Sequence, residues 1–296
     1  MKADELKQKV TDQLIAEIEA GAGTWTMPWS KLGGVPRNVT TGKAYRGINF
    51  WLLGAAANEA GYDSHQWGTY KAWKAKGHQV QSVAEVGHGT RIIYVDYSRT
   101  KRDKETGEIV KAPFAKAYVV HAREQTDAPP LERVVLTEHE RHEQAERYFA
   151  AVGAKVRYGG DRAYYDPDLD YVAVPLIGQF PHRDHFYSTL AHEHVHWTAA
   201  KPRLARDLSG RFGDEAYAAE ELIAEIGAAF LGAQLGLNPA IRTDHAAYLD
   251  NWLKILRADK GAIVTAASKA SDAVDYLNSL AQPAEVEQED KELIPA

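Results

Sequence analysis

Two stretches in the first half of the chain alternate between apolar and polar residues. They read GTRIIYVDYS at residues 89–98 and APFAKAYVVHA at residues 112–122. Because successive side chains of a strand point to opposite faces of a sheet, this alternation predicts two strands joined by a charged hairpin. Residues 155–175 contain Gly-Gly and Asp-Pro turn signals and are predicted to form two further short strands.

Longer stretches have the spacing and composition of helices. Helices are predicted at residues 1–21, 49–59, 69–75, 139–152, 186–200 and 214–235. Asp184 is the expected N-cap of the fifth, and Gly236 the expected C-terminal stop of the sixth. Residues 21–47 are rich in Gly, Pro and Thr, which predicts a long loop.

The fifth predicted helix contains three histidines at alternate positions, in the segment HEHVH. A strand would align all three, whereas a helix aligns only residues about four apart. The neighbouring helix formers favour the helix, so His192 and His196 share a face and His194 points away. This H-E-x-x-H spacing supplies two metal-binding imidazoles, with Glu193 as a general base. The alternative is a surface helix with solvated histidines.

The sixth predicted helix offers the third ligand that such a site needs. Glu221 and Glu225 are four residues apart and share a face beside small alanines. We predict Glu221 as the third ligand and Glu225 as the hydrogen-bond partner of a ligand histidine. Glu220 is an alternative ligand, since adjacent residues differ by about 100° around a helix. The predicted cofactor is one zinc ion, and other divalent ions also suit this ligand set.

Composition limits where the protein is expected to act. The 296 residues include no cysteine, which excludes disulfide bonds and allows a reducing compartment. The N-terminal segment is charged throughout, unlike a signal peptide, and no apolar run approaches the length of a membrane span. We therefore expect a cytoplasmic protein without a membrane partner.

The net charge of −6 is unevenly divided. Residues 1–125 carry a net charge of +5, the remainder carries −11, and residues 31–123 alone carry +8. Residues 1–125 also contain five of the seven tryptophans, interleaved with tyrosines. Positive charge combined with aromatic rings is typical of surfaces that bind single-stranded nucleic acid, because unpaired bases stack on such rings. The alternative is that many of these rings form the domain's own core.

Four residues are the preferred candidates for contact with single-stranded DNA. Lys43, Tyr45 and Arg46 lie in the loop TGKAYRG, where flanking glycines let the backbone approach phosphate. Trp73 lies between two lysines, and a core role for it is equally expected.

A change in composition at the segment EQTDAPPLE predicts the boundary between two domains. The predicted division is a DNA-binding domain at 1–125, a linker at 126–132, a second domain at 133–281 and a disordered acidic tail at 282–296.

Five segments, taken in order, resemble a known family. They are WTMPWSKLGGVPRNVTTGKAYRGINFWLL, WGTYKAWKAKGHQV, GGDRAYYDPDLDYVAVP, FYSTLAHEHVHW and RFGDEAYAAEELIAEIGAAFLGAQLG. The chain resembles plasmid-encoded antirestriction proteins of the ArdC type over nearly its whole length. The resemblance implies an α+β fold in two domains. A small mixed α/β domain that binds single-stranded DNA is followed by a mainly helical zincin-like metallopeptidase domain with a short sheet.

The resemblance also implies a function and places its residues. It puts the metal on His192, His196 and Glu221, with Glu193 as the base. The function that it implies is binding of single-stranded DNA during plasmid transfer and protection of that DNA from host restriction nucleases. A DNA-dependent metalloprotease that cleaves DNA-bound proteins is the alternative.

Overall fold

The structure is a computed structural model. It describes residues 34–96, 100–102, 107–111, 114–131, 136–207, 215–237, 246–259 and 261–281, with eight single positions between residues 5 and 19. Those eight positions are helical, in agreement with the predicted N-terminal helix. The predicted tail at 282–296 and residues 21–33 of the predicted loop lie outside the described residues, as do two of the tryptophans, at positions 25 and 29.

The structure has two units, each with helices and strands of its own, and the predicted α+β fold class is confirmed. The helices are α1 (Ile48–Ala60), α2 (Tyr70–Ala75), α3 (Val83–Val86), α4 (Glu138–Val152), α5 (Arg183–Trp197), α6 (Glu215–Leu235), α7 (Ala246–Ala258) and α8 (Ala262–Ala281). The strands are β1 (Arg37–Asn38), β2 (Gln66–Gly68), β3 (Thr90–Asp96), β4 (Thr100–Arg102), β5 (Ile109–Lys111), β6 (Phe114–Ala122), β7 (Val156–Tyr158), β8 (Tyr164–Asp166) and β9 (Tyr171–Val174).

The first unit contains a four-stranded sheet in the order β1-β2-β6-β3. β3 and β6 are the two strands predicted from alternation, and they pair antiparallel from Thr90 opposite Val120 to Asp96 opposite Phe114. β4 and β5 form a separate antiparallel pair within the hairpin. The short strands β1, β2, β4 and β5 were not predicted, because two or three residues are too few to show alternation.

The tryptophans of the first unit that the structure describes belong to the interior. Trp67 and Trp73 are 0% exposed and Trp51 is 5% exposed. Trp67 lies in a small core with Leu53 and Ile92, where α1 covers part of the sheet. The three described tryptophans of this unit therefore belong to core packing rather than to a nucleic-acid surface.

The predicted linker begins inside the first unit. The N–H of Asp127 donates to the carbonyl of Gln79 at 3.0 Å, and Thr126 is only 5% exposed. These contacts extend the first unit past residue 125, because the backbone there satisfies its hydrogen bonds on the segment around Val80.

The second unit is mainly helical, with a three-stranded sheet in the order β7-β9-β8. The sequence predicted only two strands here. The third arises because the Gly-Gly and Asp-Pro turns divide residues 155–175 into three segments, with β7 parallel and β8 antiparallel to β9. β8 is thus an edge strand next to the central strand β9.

Helices α5 and α6 are in tight contact at a glycine. A Cβ atom added to Gly227 of α6 would lie 2.7 Å from Cγ2 of Val195 on α5, closer than real Cβ contacts. Gly232 lies on the same helix, and a Cβ atom added there would meet nothing within 4 Å. The two helices can therefore pack at their observed separation only without a side chain at position 227.

The two units share a hydrophobic core. Ile48, Phe50 and Trp51 of α1 belong to the same buried cluster as residues of α5, α6 and α8. The rings of Phe50 and Phe230 lie 4.2 Å apart between centroids. The predicted boundary near residue 125 is therefore not a break in packing. No helix in the described part of the chain is both long and apolar enough to cross a membrane.

Gly227→Ala is expected to lower the free energy of unfolding by about 1–3 kcal/mol, because the added methyl group overpacks the contact between α5 and α6. Gly232→Ala is the matched control and should raise it by roughly 0.5–1 kcal/mol, since alanine favours the helix. Chemical denaturation of both variants measures the difference. Equal effects of the two substitutions would contradict close packing at Gly227.

Candidate functional site

The helix α5 carries the three histidines deep into the second unit. It begins at Arg183 with His182 as its N-cap, so the prediction that Asp184 caps the helix is wrong. Asp184 lies in the first turn, and its carboxylate faces Nε2 of His142 at 2.8 Å. Every side chain from Thr189 to Trp197 is buried, so the second half of α5 is enclosed on all sides.

Three side chains converge between α5 and α6. Nε2 of His192 and Nε2 of His196 lie 3.0 Å apart. Oε2 of Glu221 lies 3.5 Å from Nε2 of His192, and Oε1 lies 3.2 Å from Nε2 of His196. All three residues are at most 9% exposed. The structure therefore brings together the three ligands predicted from sequence.

The separations within this cluster suit a shared divalent cation. Four ligand atoms placed tetrahedrally at usual zinc distances lie about 3.3–3.6 Å from one another. The three observed separations, 3.0, 3.2 and 3.5 Å, are close to that range. Two imidazoles and one carboxylate leave a coordination position open, as in catalytic rather than structural zinc sites.

Two further carboxylates of α6 lie behind the histidines. Oε1 of Glu225 is 3.1 Å from Nδ1 of His192, and Oε1 of Glu220 is 3.2 Å from Nδ1 of His196. The position of Glu225 matches the role predicted for it. Glu220, the alternative ligand, instead faces the ring nitrogen that points away from the cluster. Because α6 supplies all three acids, one helix sets the orientation of both imidazoles.

Arg206 balances the charge of Glu220. Its guanidinium donates to both carboxylate oxygens of Glu220, at 2.9 and 2.8 Å, and also to the carbonyl of Val195 at 2.7 Å. Burial alone would raise the pKa of Glu220, but hydrogen bonds from Arg206 and His196 hold that pKa below its usual range. The sequence did not predict this arginine, because it follows α5 in a turn and has no recognisable spacing from the motif.

The electrostatics of the cluster favour a positive charge at its centre. Burial alone would raise the pKa of Glu221, yet the two imidazoles lower it well below its usual range. Burial alone would lower the pKa of His196, yet the carboxylates of Glu220 and Glu221 raise it to about 10. These pKa shifts mean that the carboxylates stabilise a positive charge between them, here a proton on His196. A bound divalent cation would supply that positive charge instead.

The other two residues of the motif have different surroundings. Glu193 neighbours His192 on α5, is 4% exposed, and lies near enough for its charge to raise the pKa of His196. His194 is 0% exposed, with Nδ1 2.7 Å from the carbonyl of Leu190 and its ring 4.7 Å from that of Phe149. Burial lowers the pKa of His194 to about 4, so it packs as a neutral ring away from the cluster.

Three of the residues predicted to contact DNA differ in accessibility. Lys43 is exposed. Tyr45 is half-buried, and its phenol oxygen accepts a hydrogen bond from Asn38 at 3.2 Å. Trp73 is 0% exposed, and its indole N–H donates to the carbonyl of His121 at 3.0 Å. Trp73 is therefore a core residue, as the alternative held, and its ring is not available to a base.

Arg46, the fourth of these residues, joins the two units. Its guanidinium lies 2.8 Å from Asp272 and 2.7 Å from Asp275, both on α8. The next backbone N–H, of Gly47, donates to the hydroxyl of Ser271 at 2.7 Å. The charge of Arg46 is therefore shared with two carboxylates in this structure.

Both units match known families. The family described as the N-terminal domain of anti-restriction factor ArdC matches residues 4–121, and the family described as a zincin-like metallopeptidase matches residues 143–269. The metal-free crystal structure of antirestriction protein ArdC from plasmid R388 is 39% identical, covers 93% of this chain and 97% of that chain, and has a TM-score of 0.75. The chain belongs to the ArdC family of antirestriction proteins.

Other relatives extend this ArdC family comparison. The Mn(II)-bound structure of R388 ArdC is 38% identical, covers 95% of this chain and 99% of that chain, and has a TM-score of 0.73. The uncharacterized protein y4eC of Sinorhizobium fredii is 42% identical, covering 93% of this chain and 92% of that protein. DNA primase TraC of Escherichia coli is 39% identical over 93% of this chain, which corresponds to 27% of the primase. The zincin-like fold of the ArdC chain implies a divalent metal.

Purified ArdC family protein of this sequence is expected to carry about one equivalent of divalent metal. His192→Ala and Glu221→Gln should each remove it, because each deletes one of three converging ligands. His194→Ala is the control and should retain the metal, although its cavity will lower thermal stability. Elemental analysis after gel filtration measures the content, and wild-type metal content in Glu221→Gln would exclude this ligand set.

Glu220→Gln distinguishes an orienting residue from a ligand. We expect metal binding to persist at the same stoichiometry with an affinity lowered roughly 10- to 100-fold, because the imidazole of His196 loses a charged acceptor. Competition with a chelator measures the dissociation constant. If Glu220→Gln loses the metal completely and Glu221→Gln retains it, then Glu220 is the ligand and Glu221 is the orienting residue.

Proposed function

We infer that this ArdC family member binds single-stranded DNA during plasmid transfer and shields it from host restriction nucleases. The observation that carries this inference is the charge of the first unit, since residues 31–123 contain 15 basic and 7 acidic residues. Basic surfaces gain affinity for nucleic acid by releasing the counterions that surround its phosphates. The match of residues 4–121 to the N-terminal domain of an anti-restriction factor supports the same function.

The basic side chains of the first unit are accessible to a phosphate backbone. The exposed ones in its described part include Arg37, Lys43, Lys71, Lys74, Lys76, Arg91, Arg102 and Lys116. We propose that Lys43 contacts phosphate directly. Arg46 can contact phosphate only if it gives up its ion pairs with the two aspartates on α8. Tyr45 can contact a base only through the exposed part of its ring.

Protection by coating requires affinity and coverage of the strand, but no chemical step. A nuclease cannot reach a strand that is occupied along its length, whichever sequence it recognises. We therefore propose DNA binding as the necessary activity, exerted in the cytoplasm of the recipient cell.

The second unit supports a second activity, a zinc-dependent peptidase that cleaves DNA-bound proteins. The observation that favours it is the convergence of His192, His196 and Glu221, which would hold the metal, next to Glu193. Zinc is the ion we propose for two imidazoles and one carboxylate, and the Mn(II) in the R388 structure makes manganese the main alternative. When bound, the metal would polarise a peptide carbonyl and acidify a water molecule.

The residues of the chain would supply the remaining chemistry. Glu193 would take the proton of the attacking water and return it to the leaving amine. Glu220 and Glu225 would orient the imidazoles of His196 and His192 through their Nδ1 atoms, so that both Nε2 atoms face the cluster. The edge strand β8 offers unpaired backbone groups along which an extended substrate peptide could align.

Glu193→Gln separates the two activities in cells. We expect it to protect an incoming plasmid as well as wild type does, because the substitution leaves the first unit unchanged. The measurement is the number of transconjugants in a restricting recipient divided by that in a non-restricting recipient, with an empty vector as baseline. If the ratio measured with Glu193→Gln falls to the empty-vector baseline although the variant protein is present at the normal level, protection depends on proteolysis. The hypothesis that coating alone protects the DNA would then be wrong.

Glu193→Gln should also lower cleavage of a protein crosslinked to single-stranded DNA by about 10²- to 10⁴-fold while retaining the metal, because only the base is lost. Cleavage is followed on gels with wild-type and variant proteins purified in parallel. Equal cleavage by both proteins would place the activity outside this site.

A further inference from the structure

The sheet of the first unit presents two exposed tyrosines on neighbouring strands. Tyr94 of β3 lies directly opposite Lys116 of β6, and Tyr118 lies opposite Ile92, so all four side chains share one face. Tyr94 is 52% exposed and Tyr118 is 37% exposed. Their ring centroids are 6.2 Å apart, and Nζ of Lys116 is 5.0 Å from the centroid of Tyr118.

The same face changes from buried to exposed along the strands. Ile92 lies two residues before Tyr94 on β3, and Val120 lies two residues after Tyr118 on β6. Both are buried in the small core with Leu53 and Ala57 of α1. Past the part of the sheet that α1 covers, the same face continues with Tyr94, Tyr118 and Lys116, which are exposed. Two large aromatic rings are thus held in place by a rigid sheet whose adjacent part is fully packed.

The geometry of the two rings leaves faces available for stacking. Their planes are inclined by 82°, and this edge-on contact occupies at most one face of one of the two rings. One face of Tyr118 is next to the ammonium group of Lys116, which adds a positive charge beside the ring. Aromatic rings on a sheet, flanked by cations, stack unpaired bases while the cations contact phosphate.

The charge around this face is also positive. The segment at residues 97–113, which joins the ends of β3 and β6 nearest Tyr94 and Lys116, contains five basic and three acidic residues. Arg102 within it is exposed. A polyanion is therefore attracted toward the end of the sheet where the tyrosines lie.

We propose that the face formed by Tyr94, Lys116 and Tyr118 is a base-stacking site for single-stranded DNA. The proposal rests on the inferred DNA-binding function and locates its aromatic contacts. It assigns them to the sheet rather than to the three described tryptophans of this unit, which are buried, or to Tyr45, whose ring is half-buried. Duplex DNA is a poor ligand for such a site, because its bases are already stacked on one another.

The test uses the full-length protein and a fluorescent thymidine homopolymer, with binding followed by anisotropy at several salt concentrations. The variants are Tyr94→Ala, Tyr118→Ala and the double substitution. Tyr94→Phe and Tyr118→Phe retain the rings. Tyr70→Ala is the matched control, since Tyr70 is 48% exposed in the same unit but lies on α2. Circular dichroism checks that each variant is folded.

We expect each alanine variant to bind the single strand roughly 5- to 100-fold more weakly, and the phenylalanine variants and Tyr70→Ala to bind like wild type. Lys116→Gln should reduce the salt dependence by about 0.7 in the logarithmic slope, as expected when one phosphate contact with a single strand is lost. Affinity of the alanine variants for duplex DNA should be unchanged.

Two negative outcomes are distinct. If wild type binds the single strand and folded Tyr94→Ala, Tyr118→Ala and double variants bind equally well, the stacking site is wrong while the DNA-binding function stands. If wild type itself does not bind a single strand at low salt, the proposed function fails and the stacking site fails with it. Equal loss in the alanine and phenylalanine variants would also overturn the proposal, because the rings would then not be the cause.

Discussion

Two buried imidazoles face three buried carboxylates where α5 meets α6, and the rest of the second unit depends on this meeting of opposite charges. Burying such groups is costly unless each is paired in good geometry. Helix packing supplies that geometry: the absence of a side chain at Gly227 permits the close contact, and Arg206 balances the charge of Glu220. A site built on two packed helices is also held more rigidly than one built on loops, which suits a metal whose ligands must converge.

The two units are less independent than the two family matches suggest. Residues 4–121 and 143–269 correspond to separate families, yet Phe50 and Phe230 pack together and α1 shares a core with α8. Arg46 adds an ion pair with two aspartates at the same junction. Because that arginine lies in a loop that is itself a candidate for DNA contact, phosphate and α8 would compete for one cation.

In the sequence of the first unit, positive charge was a better guide to a nucleic-acid surface than aromatic content was. Long basic side chains extend into solvent because burying their charge is unfavourable, so the excess in residues 31–123 translates directly into a basic exterior. Aromatic rings gain free energy from burial, and the described tryptophans of this unit are in its interior. Among the described residues of this unit, the exposed rings left for a ligand are tyrosines, whose hydroxyl groups tolerate water at the surface.

The sequence by itself determined the elements whose signal is local. Spacing of four residues placed His192 and His196 on one face of a helix, and alternation located β3 and β6, because both follow from the periodicity of the backbone. Strands of two or three residues are too short to show a period, so β1, β2, β4 and β5 needed the structure. Only tertiary packing placed Glu221 opposite both Nε2 atoms and Glu220 opposite Nδ1 of His196, and only tertiary packing brought Arg206 to the cluster. Neighbouring acids on a helix are equivalent until a second helix packs against one side of them.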